Sequence, residues 1–202
     1  MHKIRMWDRL AADRVDYFIA NSNYIKGRID KYYRRKAEVI FPPVNTHLYH
    51  IEEKEDFYLI VSRLVTYKRV DLAVEAFNEL GLPLIIIGSG PEEKKLKAMA
   101  KDNIKFLGRL TDEEIVNYYS KSKAFVFPGE EDFGITPIES QASGTPVIAY
   151  GRGGVLDTVR DNFSGILFYE QTVKELMNAI KAFEMSGVRW SAEEIKANSE
   201  EF

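Results

Sequence analysis

Cysteine is absent from this sequence of 202 residues, which excludes disulfide bonds and thiolate metal sites. Also absent is any apolar run near the roughly 20 residues that a membrane-spanning helix needs. The opening segment, MHKIRMWDRLAADR, lacks the apolar stretch of a signal peptide. Charge of one sign is not in excess, because 28 Lys and Arg face 31 Asp and Glu. We therefore expect a cytoplasmic protein with no nucleic acid partner.

Short β-branched or aromatic runs alternate with amphipathic stretches along most of the chain. Such alternation predicts an α/β protein with a Rossmann-like, doubly wound parallel sheet and helices on both faces. The predicted strands are Tyr17–Ala20, Val39–Phe41, Phe57–Val61, Leu84–Ile87, Ile104–Leu107, Ala124–Phe127, Pro146–Ala149 and Gly165–Phe168. The predicted helices are Tyr24–Tyr33, Val70–Leu80, Glu92–Lys101, Asp112–Ser120, Ile138–Ser143, Val173–Phe183 and Ser191–Phe202.

Adjacent prolines at Pro42–Pro43 mark the clearest boundary, since they stiffen the chain and exclude regular strand pairing. The segment before them holds too little secondary structure to bury a core by itself. We therefore expect this segment and the terminal helix each to pack against a larger part of a two-domain protein. The sequence thus divides into segments 1–41, 42–51 (a hinge), 52–188 (the main domain) and 189–202.

Ligands of an open parallel sheet bind beyond the carboxyl ends of its strands, so the loops there are the candidate site. One such loop offers Arg63 and Lys68, which suit a diphosphate but are equally typical of solvated surface charge. Another, Gly88–Pro91, is typical of a simple strand-to-helix turn, in which glycine adopts positive φ and proline starts the helix.

The loop after Ala124–Phe127 is the most informative, because Glu131 and Glu139 bracket seven residues there. Gly134 lies where a helix must begin, so backbone N–H groups can approach a phosphate closely. Two simpler interpretations stay open: Glu139 belongs to a capped helix start at Thr136, and the acids at 130–132 form a solvated cluster.

Four segments together resemble the carboxyl-terminal domain of the family 4 (group 1) retaining glycosyltransferases: SRLVTYKRVDLAVEAF, GSGP, IKFLGRL and PGEEDFGITPIESQASGTPVIAYGRGG. That family has two facing Rossmann-like domains, the GT-B fold. The resemblance runs from about Phe57 to Phe183. Its most specific part is the glutamate pair before the ASGTPVIA segment.

The resemblance implies a nucleotide-sugar site without metal or other cofactor. Arg63 and Lys68 would hold the diphosphate and stabilise its departure, Glu131 would face the transferred sugar, and Glu139 would bind the ribose. The backbone of Gly134, Ile135 and Thr136 would hold the distal phosphate, and Gly108, Arg109 and Leu110 would line the base. Gly88 and Phe133 complete the expected substrate-binding set.

The runs RMWDRLAADRVDYFIANSNYIKGRI, FPPV and GEEDFGI resemble mannosyltransferases of polysaccharide and lipopolysaccharide assembly, which use GDP-mannose. Residues 1–41 would then be a remnant of the acceptor domain, so we expect the chain to bind donor without transferring sugar. The glycan or lipid-linked acceptor, and any peripheral contact with the inner membrane face, would involve the missing domain. His2, His47 and His50 do not match the family's active-site histidine and are expected at the surface.

Three alternatives remain. A nucleotide-sugar epimerase would share the architecture, although the Arg63, Lys68 and glutamate arrangement argues against it. A non-catalytic nucleotide-sugar-binding domain is the second. A metal-dependent transferase is the third, and it is disfavoured because no Asp-x-Asp element follows a strand.

Overall fold

The computed structural model describes residues 2–186 and 190–202, and no helix within them is long and apolar enough to cross a membrane. The strands are β1 Phe18–Ala20, β2 Ala37–Val39, β3 Tyr58–Val61, β4 Leu84–Ile87, β5 Ile104–Gly108, β6 Ala124–Phe127, β7 Val147–Tyr150 and β8 Gly165–Phe168. The helices are α1 His2–Ala12, α2 Asn23–Tyr33, α3 Val70–Leu80, α4 Glu93–Met99, α5 Asp112–Lys121, α6 Ile135–Ala142, α7 Val155–Thr158, α8 Val173–Ser186 and α9 Ala192–Ser199.

Six strands form one parallel sheet in the order β5-β4-β3-β6-β7-β8. The chain winds outward from β3 in one direction and, after crossing back to β6, outward in the other. The crevice between β3 and β6 is therefore the switch point at which such sheets bind ligands. The predicted fold class is confirmed.

Side chains on the two faces of this sheet enter two apolar clusters. On one face Tyr58, Ile60 and Ile86 pack with residues of α3 and α8. On the other face Leu59 and Phe125 pack with Tyr119 of α5. Because successive strand residues point to opposite faces, these hydrophobic strands require helices on both sides. Their continuous burial is what the sequence pattern predicted.

Strands β1 and β2 form a separate two-stranded parallel sheet with α2 packed against it. Its small core contains Ala20, Ile29 and Ala37. The strand predicted at Val39–Phe41 begins and ends two residues earlier, and beyond its end the Phe41 ring packs against Phe133 and Phe202. Helix α1 was not predicted at all.

The predicted hinge, residues 42–51, lies against the main domain and is called here the connecting segment. Thr46 within it is buried, and the Val44 amide donates to the Phe202 carbonyl at 3.1 Å. Helix α9 packs on α6, with Asn198 Nδ2 donating to Gln141 Oε1 at 2.6 Å. The expected boundary between residues 188 and 189 lies outside the described residues. The division into domains stays a prediction.

Candidate functional site

The loops after β3, β4 and β5 meet at the carboxyl edge of the sheet through direct backbone contacts. The Leu64 amide donates to the Ser89 carbonyl at 3.1 Å, and the Gly88 amide to the Gly108 carbonyl at 2.7 Å. A Cβ at Gly88 would lie 1.9 Å from the Ser62 carbonyl oxygen, so only glycine permits this approach. Gly88 has φ +128°, as its turn interpretation requires, although α4 starts two residues after Pro91.

Lys68 and Glu131 form an ion pair at the switch point. Their side chains are 19% and 20% exposed, so the pair is largely shielded from water. Burial lowers the pKa of Lys68. The loop carrying Glu131 is fixed from the next crossover, where the Gly154 amide donates to the Glu131 carbonyl at 2.8 Å. The structure thus brings together two of the three side chains predicted to be catalytic.

The third, Arg63, lies at the same edge of the sheet but is exposed. Its side chain takes part in none of the hydrogen bonds or ion pairs found among the described residues. Its guanidinium is therefore not committed to a protein carboxylate and is available to an incoming anion.

Glu139 lies in the second turn of α6 and accepts a hydrogen bond from the Tyr119 hydroxyl at 3.0 Å. The Tyr49 ring packs edge-on against the Tyr119 ring, with centroids 6.0 Å apart. Burial raises the pKa of Glu139, and the nearby hydroxyls of Tyr49 and Tyr119 partly offset that rise. The helix begins at Ile135 with no side-chain cap, so the interpretation of Thr136 and Glu139 as a capped start is wrong.

The amino end of α6 follows Gly134, which has φ +90°. In the described structure, the backbone N–H groups of Ile135 and Thr136 have no protein acceptor, as expected for a first helical turn. Phe133 is 4% exposed and stacks on Phe41, so its ring belongs to the aromatic packing behind the loop. The first turn of α6 therefore has free donors, and the ring of Phe133 anchors the loop that precedes it.

The residues predicted to line a base differ in exposure. Gly108 has φ +72°, and a Cβ there would project into open space. Arg109 Nε donates to Ser89 Oγ at 2.8 Å, which ties the loops after β4 and β5 together. Leu110 is half-buried at the margin of the core. Gly108 thus borders open space, and the neighbouring Arg109 guanidinium is fixed by its hydrogen bond to Ser89.

The three consecutive acids each have a separate partner, and the solvated-cluster interpretation fits only Asp132, whose side chain is 60% exposed. Glu130 accepts from the Tyr24 hydroxyl and pairs with Arg152 at 3.2 Å. Asp132 pairs with Arg28 at 3.3 Å, and Glu131 pairs with Lys68 as described. Sequence reasoning missed these partners, and it missed Tyr119 as the partner of Glu139, because they lie far from the acids along the chain.

His2, His47 and His50 are all exposed, as predicted. Within residues 2–186 and 190–202, no group of three or more His, Cys, Asp or Glu side chains is arranged to hold a metal ion. The absence of a metal from the reaction stays a prediction.

Comparison with known proteins gives this chain a family. The family model described as glycosyl transferases group 1 matches residues 48–202. An uncharacterized glycosyltransferase of Methanocaldococcus jannaschii is 30% identical over 183 residues, covering 88% of this chain and 52% of that protein. A GDP-mannose-dependent alpha-mannosyltransferase of Corynebacterium glutamicum is 37% identical over 120 residues, covering 59% of this chain and 29% of that protein.

Among solved structures, the sucrose-phosphate synthase of Thermosynechococcus elongatus superposes with a TM-score of 0.86 at 23% identity, covering 100% of this chain and 57% of that one. The chain thus spans about half the length of the first relative and of this structure. The superposition shows the same fold. With the family model matching most of its length, the chain belongs to the group 1 glycosyl transferases.

Proposed function

We propose that this chain is the donor-binding part of a retaining, metal-independent hexosyltransferase that takes mannose from GDP-mannose. The observation that carries the proposal is the ion pair of Lys68 with Glu131 at the switch point, in the loop that leads into the uncapped amino end of α6. Residues 52–188 would form the donor domain, and residues 1–41 would belong to an acceptor domain.

The geometry suits departure of a nucleoside diphosphate. Breaking the bond between the sugar C1 and the phosphate oxygen leaves negative charge on the diphosphate, and fixed positive groups stabilise that charge most in the transition state. Lys68 supplies an ammonium and Arg63 an uncommitted guanidinium. The free N–H groups of α6 add donors and the positive end of the helix dipole.

The ion pair between Lys68 and Glu131 gives each side chain a role in binding. A diphosphate competes with Glu131 for the ammonium, since it carries more charge than one carboxylate. Glu131 is then free to accept hydrogen bonds from the hydroxyls of the sugar. The carboxylate therefore holds Lys68 in place before the donor arrives.

The choice of GDP-mannose is supported by the sequence resemblance and by the name of the Corynebacterium relative. The acceptor, a glycan or a lipid-linked sugar, would bind the portion of the relatives that this chain does not span. Cytoplasmic location with peripheral contact at the inner membrane face belongs to the same proposal. An epimerase would release a free altered sugar, whereas a transferase forms a new glycoside.

Calorimetric titration with GDP-mannose, GDP, UDP-glucose and UDP in the presence of a chelator tests the proposal. We expect saturable binding, with guanine nucleotides preferred, and no transfer to added acceptors by this chain. Lys68→Ala and Glu139→Ala should each weaken GDP binding about 10- to 100-fold, because each removes a hydrogen bond to a charged group. The exposed Lys181→Ala is the control and should bind normally.

Each contrary result removes a defined part of the proposal. UDP binding tenfold tighter than GDP would exclude GDP-mannose while leaving the donor site. Sugar transfer by the chain alone would exclude the assignment of the acceptor site to another domain. Failure of every nucleotide to bind would overturn the donor site itself.

A further inference from the structure

Helix α2 contacts the loop after β6 on both sides of Glu131. The Tyr24 hydroxyl donates to Glu130, the residue before it, and Arg28 Nη1 donates to Asp132 Oδ1, the residue after it, at 3.3 Å. Tyr24 and Arg28 lie four residues apart in α2, so their side chains leave the same face of the helix. The helix is thus bonded to both neighbours of the glutamate that the proposed function places against the transferred sugar.

The amino end of α2 is also fixed to the crossover that supports this loop. Asn23 donates to the Asp157 carboxylate in α7 from its backbone and side-chain nitrogens, at 2.7 and 2.9 Å. Just before α7, the Gly154 amide donates to the Glu131 carbonyl, and a Cβ on Gly153 would lie 2.3 Å from that carbonyl oxygen. The backbone of Glu131 is therefore held by the α7 crossover, while α2 holds the side chains on either side of it.

The two bonds from α2 differ in strength. Arg28 and Asp132 are 51% and 60% exposed, and an ion pair so open to water restrains its partners little. Tyr24 is half-buried and Glu130 is 32% exposed, and a hydrogen bond to an ionised carboxylate there is stronger. A tyrosine ring also has only two side-chain torsions to fix. The Tyr24 hydroxyl is therefore the main restraint that α2 places on this loop.

We infer that Tyr24 is a positioning residue for Glu131, which its hydroxyl holds through Glu130 where the carboxylate receives the hydroxyls of the transferred sugar. The inference rests on the proposed function. It gives a part in sugar recognition to a residue of segment 1–41, which otherwise belongs only to the acceptor side. Recognition of the sugar then depends on the placement of α2, whereas the groups assigned to GDP all lie in the main domain.

The test is Tyr24→Phe in the full chain, which keeps the ring and removes only the hydroxyl. Calorimetry gives the ratio of GDP-mannose affinity to GDP affinity. We expect the variant to lower this ratio about three- to tenfold, with GDP affinity changed by less than about twofold. Glu131→Gln sets the scale and should lower the ratio at least as far. The matched control is Tyr33→Phe on the same helix, whose hydroxyl donates to Asp8 at 2.8 Å rather than to the loop, and it should leave the ratio unchanged.

A double-mutant cycle separates positioning from direct contact between Tyr24 and the sugar. Glu130→Ala removes the acceptor of the Tyr24 hydroxyl, so adding Tyr24→Phe to it should lower the ratio no further. A further drop as large as that in the parent background would overturn the inference, because Tyr24 would then act without Glu130.

Hydrogen exchange of the Gly154 amide in the nucleotide-free chain gives a second readout. This amide donates to the Glu131 carbonyl, so its protection reports how firmly the loop is held. We expect Tyr24→Phe to speed its exchange about threefold or more relative to the amides of β3. Equal acceleration of both would indicate general destabilisation and would count against a positioning role.

The binding results decide between the inference and the proposed function on which it rests. An affinity ratio unchanged by Tyr24→Phe overturns the inference and leaves the donor site intact. Equal weakening of GDP and GDP-mannose also overturns it, because a positioning role for Glu131 acts on the sugar. Failure of the parent chain to bind either nucleotide overturns the proposed function, and with it the role given to Tyr24.

Discussion

Glu139 shows the conflict between binding and stability at the scale of one residue. Burial raises the pKa of Glu139, so ionisation of this carboxyl costs the folded state stability. Two tyrosine hydroxyls reduce that cost without removing it. The candidate site therefore contains a carboxylate acceptor that folding by itself does not favour, and under the proposed function the ribose would use it.

Replacing Glu139 by Gln should consequently stabilise the fold while weakening GDP binding. The amide keeps the size of the side chain and one acceptor oxygen for a tyrosine hydroxyl, and it needs no buried charge. We expect the free energy of unfolding at pH 7 to rise by about 1 kcal/mol, measured by urea denaturation. The exposed Glu75→Gln in α3 is the matched control and should change it little.

The pH dependence of this difference follows from the sign of the shift. Because the folded pKa of Glu139 lies above its unfolded value, the folded parent chain binds more protons in the window between them. Its stability relative to the Gln variant therefore increases as pH falls through that window. A difference between the two proteins that stays constant from pH 7 to pH 4 would contradict a raised carboxyl pKa as the cause.

At the scale of elements, the carboxyl edge of the sheet depends on glycines that let loops touch. A Cβ on Gly90 would lie 2.2 Å from the Leu64 carbonyl oxygen, which belongs to the adjoining loop. Both loops border the crevice, so separating them disturbs the positions of Arg63 and Lys68. This role is distinct from a requirement for positive φ, which Gly90 does not show.

We therefore expect Gly90→Ala to lower the free energy of unfolding by about 3 kcal/mol, the upper end for overpacking. GDP affinity should fall with it. The control is Gly27→Ala in α2, where a Cβ meets nothing within 4 Å. That change should stabilise the chain by about 0.5 to 1 kcal/mol, because alanine loses less backbone entropy in a helix. Thermal unfolding followed by circular dichroism measures both, and equal effects would refute the steric argument.

At the scale of the molecule, residues before Phe41 contact the helices and loops around the main sheet through polar side chains. Asn23 donates to Asp157 from its backbone and side-chain nitrogens at 2.7 and 2.9 Å. Arg28 and Tyr24 reach the acids of the loop after β6. Neither of the two large apolar clusters includes a residue before Tyr49. The larger sheet thus has a complete core of its own.

A chain beginning at residue 41 should therefore fold and bind GDP with affinity within about threefold of the parent, as expected when only surface contacts are lost. Loss of about 2 kcal/mol of such contacts lowers the Tm by about 4 to 8 °C for a chain of this size. A chain beginning at residue 45 also lacks Phe41, the partner of Phe133 and Phe202, and should melt at a lower temperature still. Loss of cooperative unfolding in the first variant would show that the two sheets form one folding unit.

The sequence alone was sufficient to predict the parallel sheet, because a buried strand such as Ala124–Phe127 is apolar on both faces and its signal is local. It also indicated the site loops, since glycines and charges follow the strands directly. Helix α1 escaped prediction although its apolar residues Ile4, Trp7 and Leu10 recur at helical spacing, and all three are exposed in the structure.

Only the tertiary structure decided which groups meet. The hydroxyl that donates to Glu139 comes from α5, and the partners of Glu130 and Asp132 come from α2 and the loop after β7. Propensity and spacing act over a few residues, whereas these contacts join positions up to 106 residues apart. The local pattern therefore determined the sheet and its loops. Packing between distant segments determined which partners hold each carboxylate and which carboxyl has its pKa raised by burial.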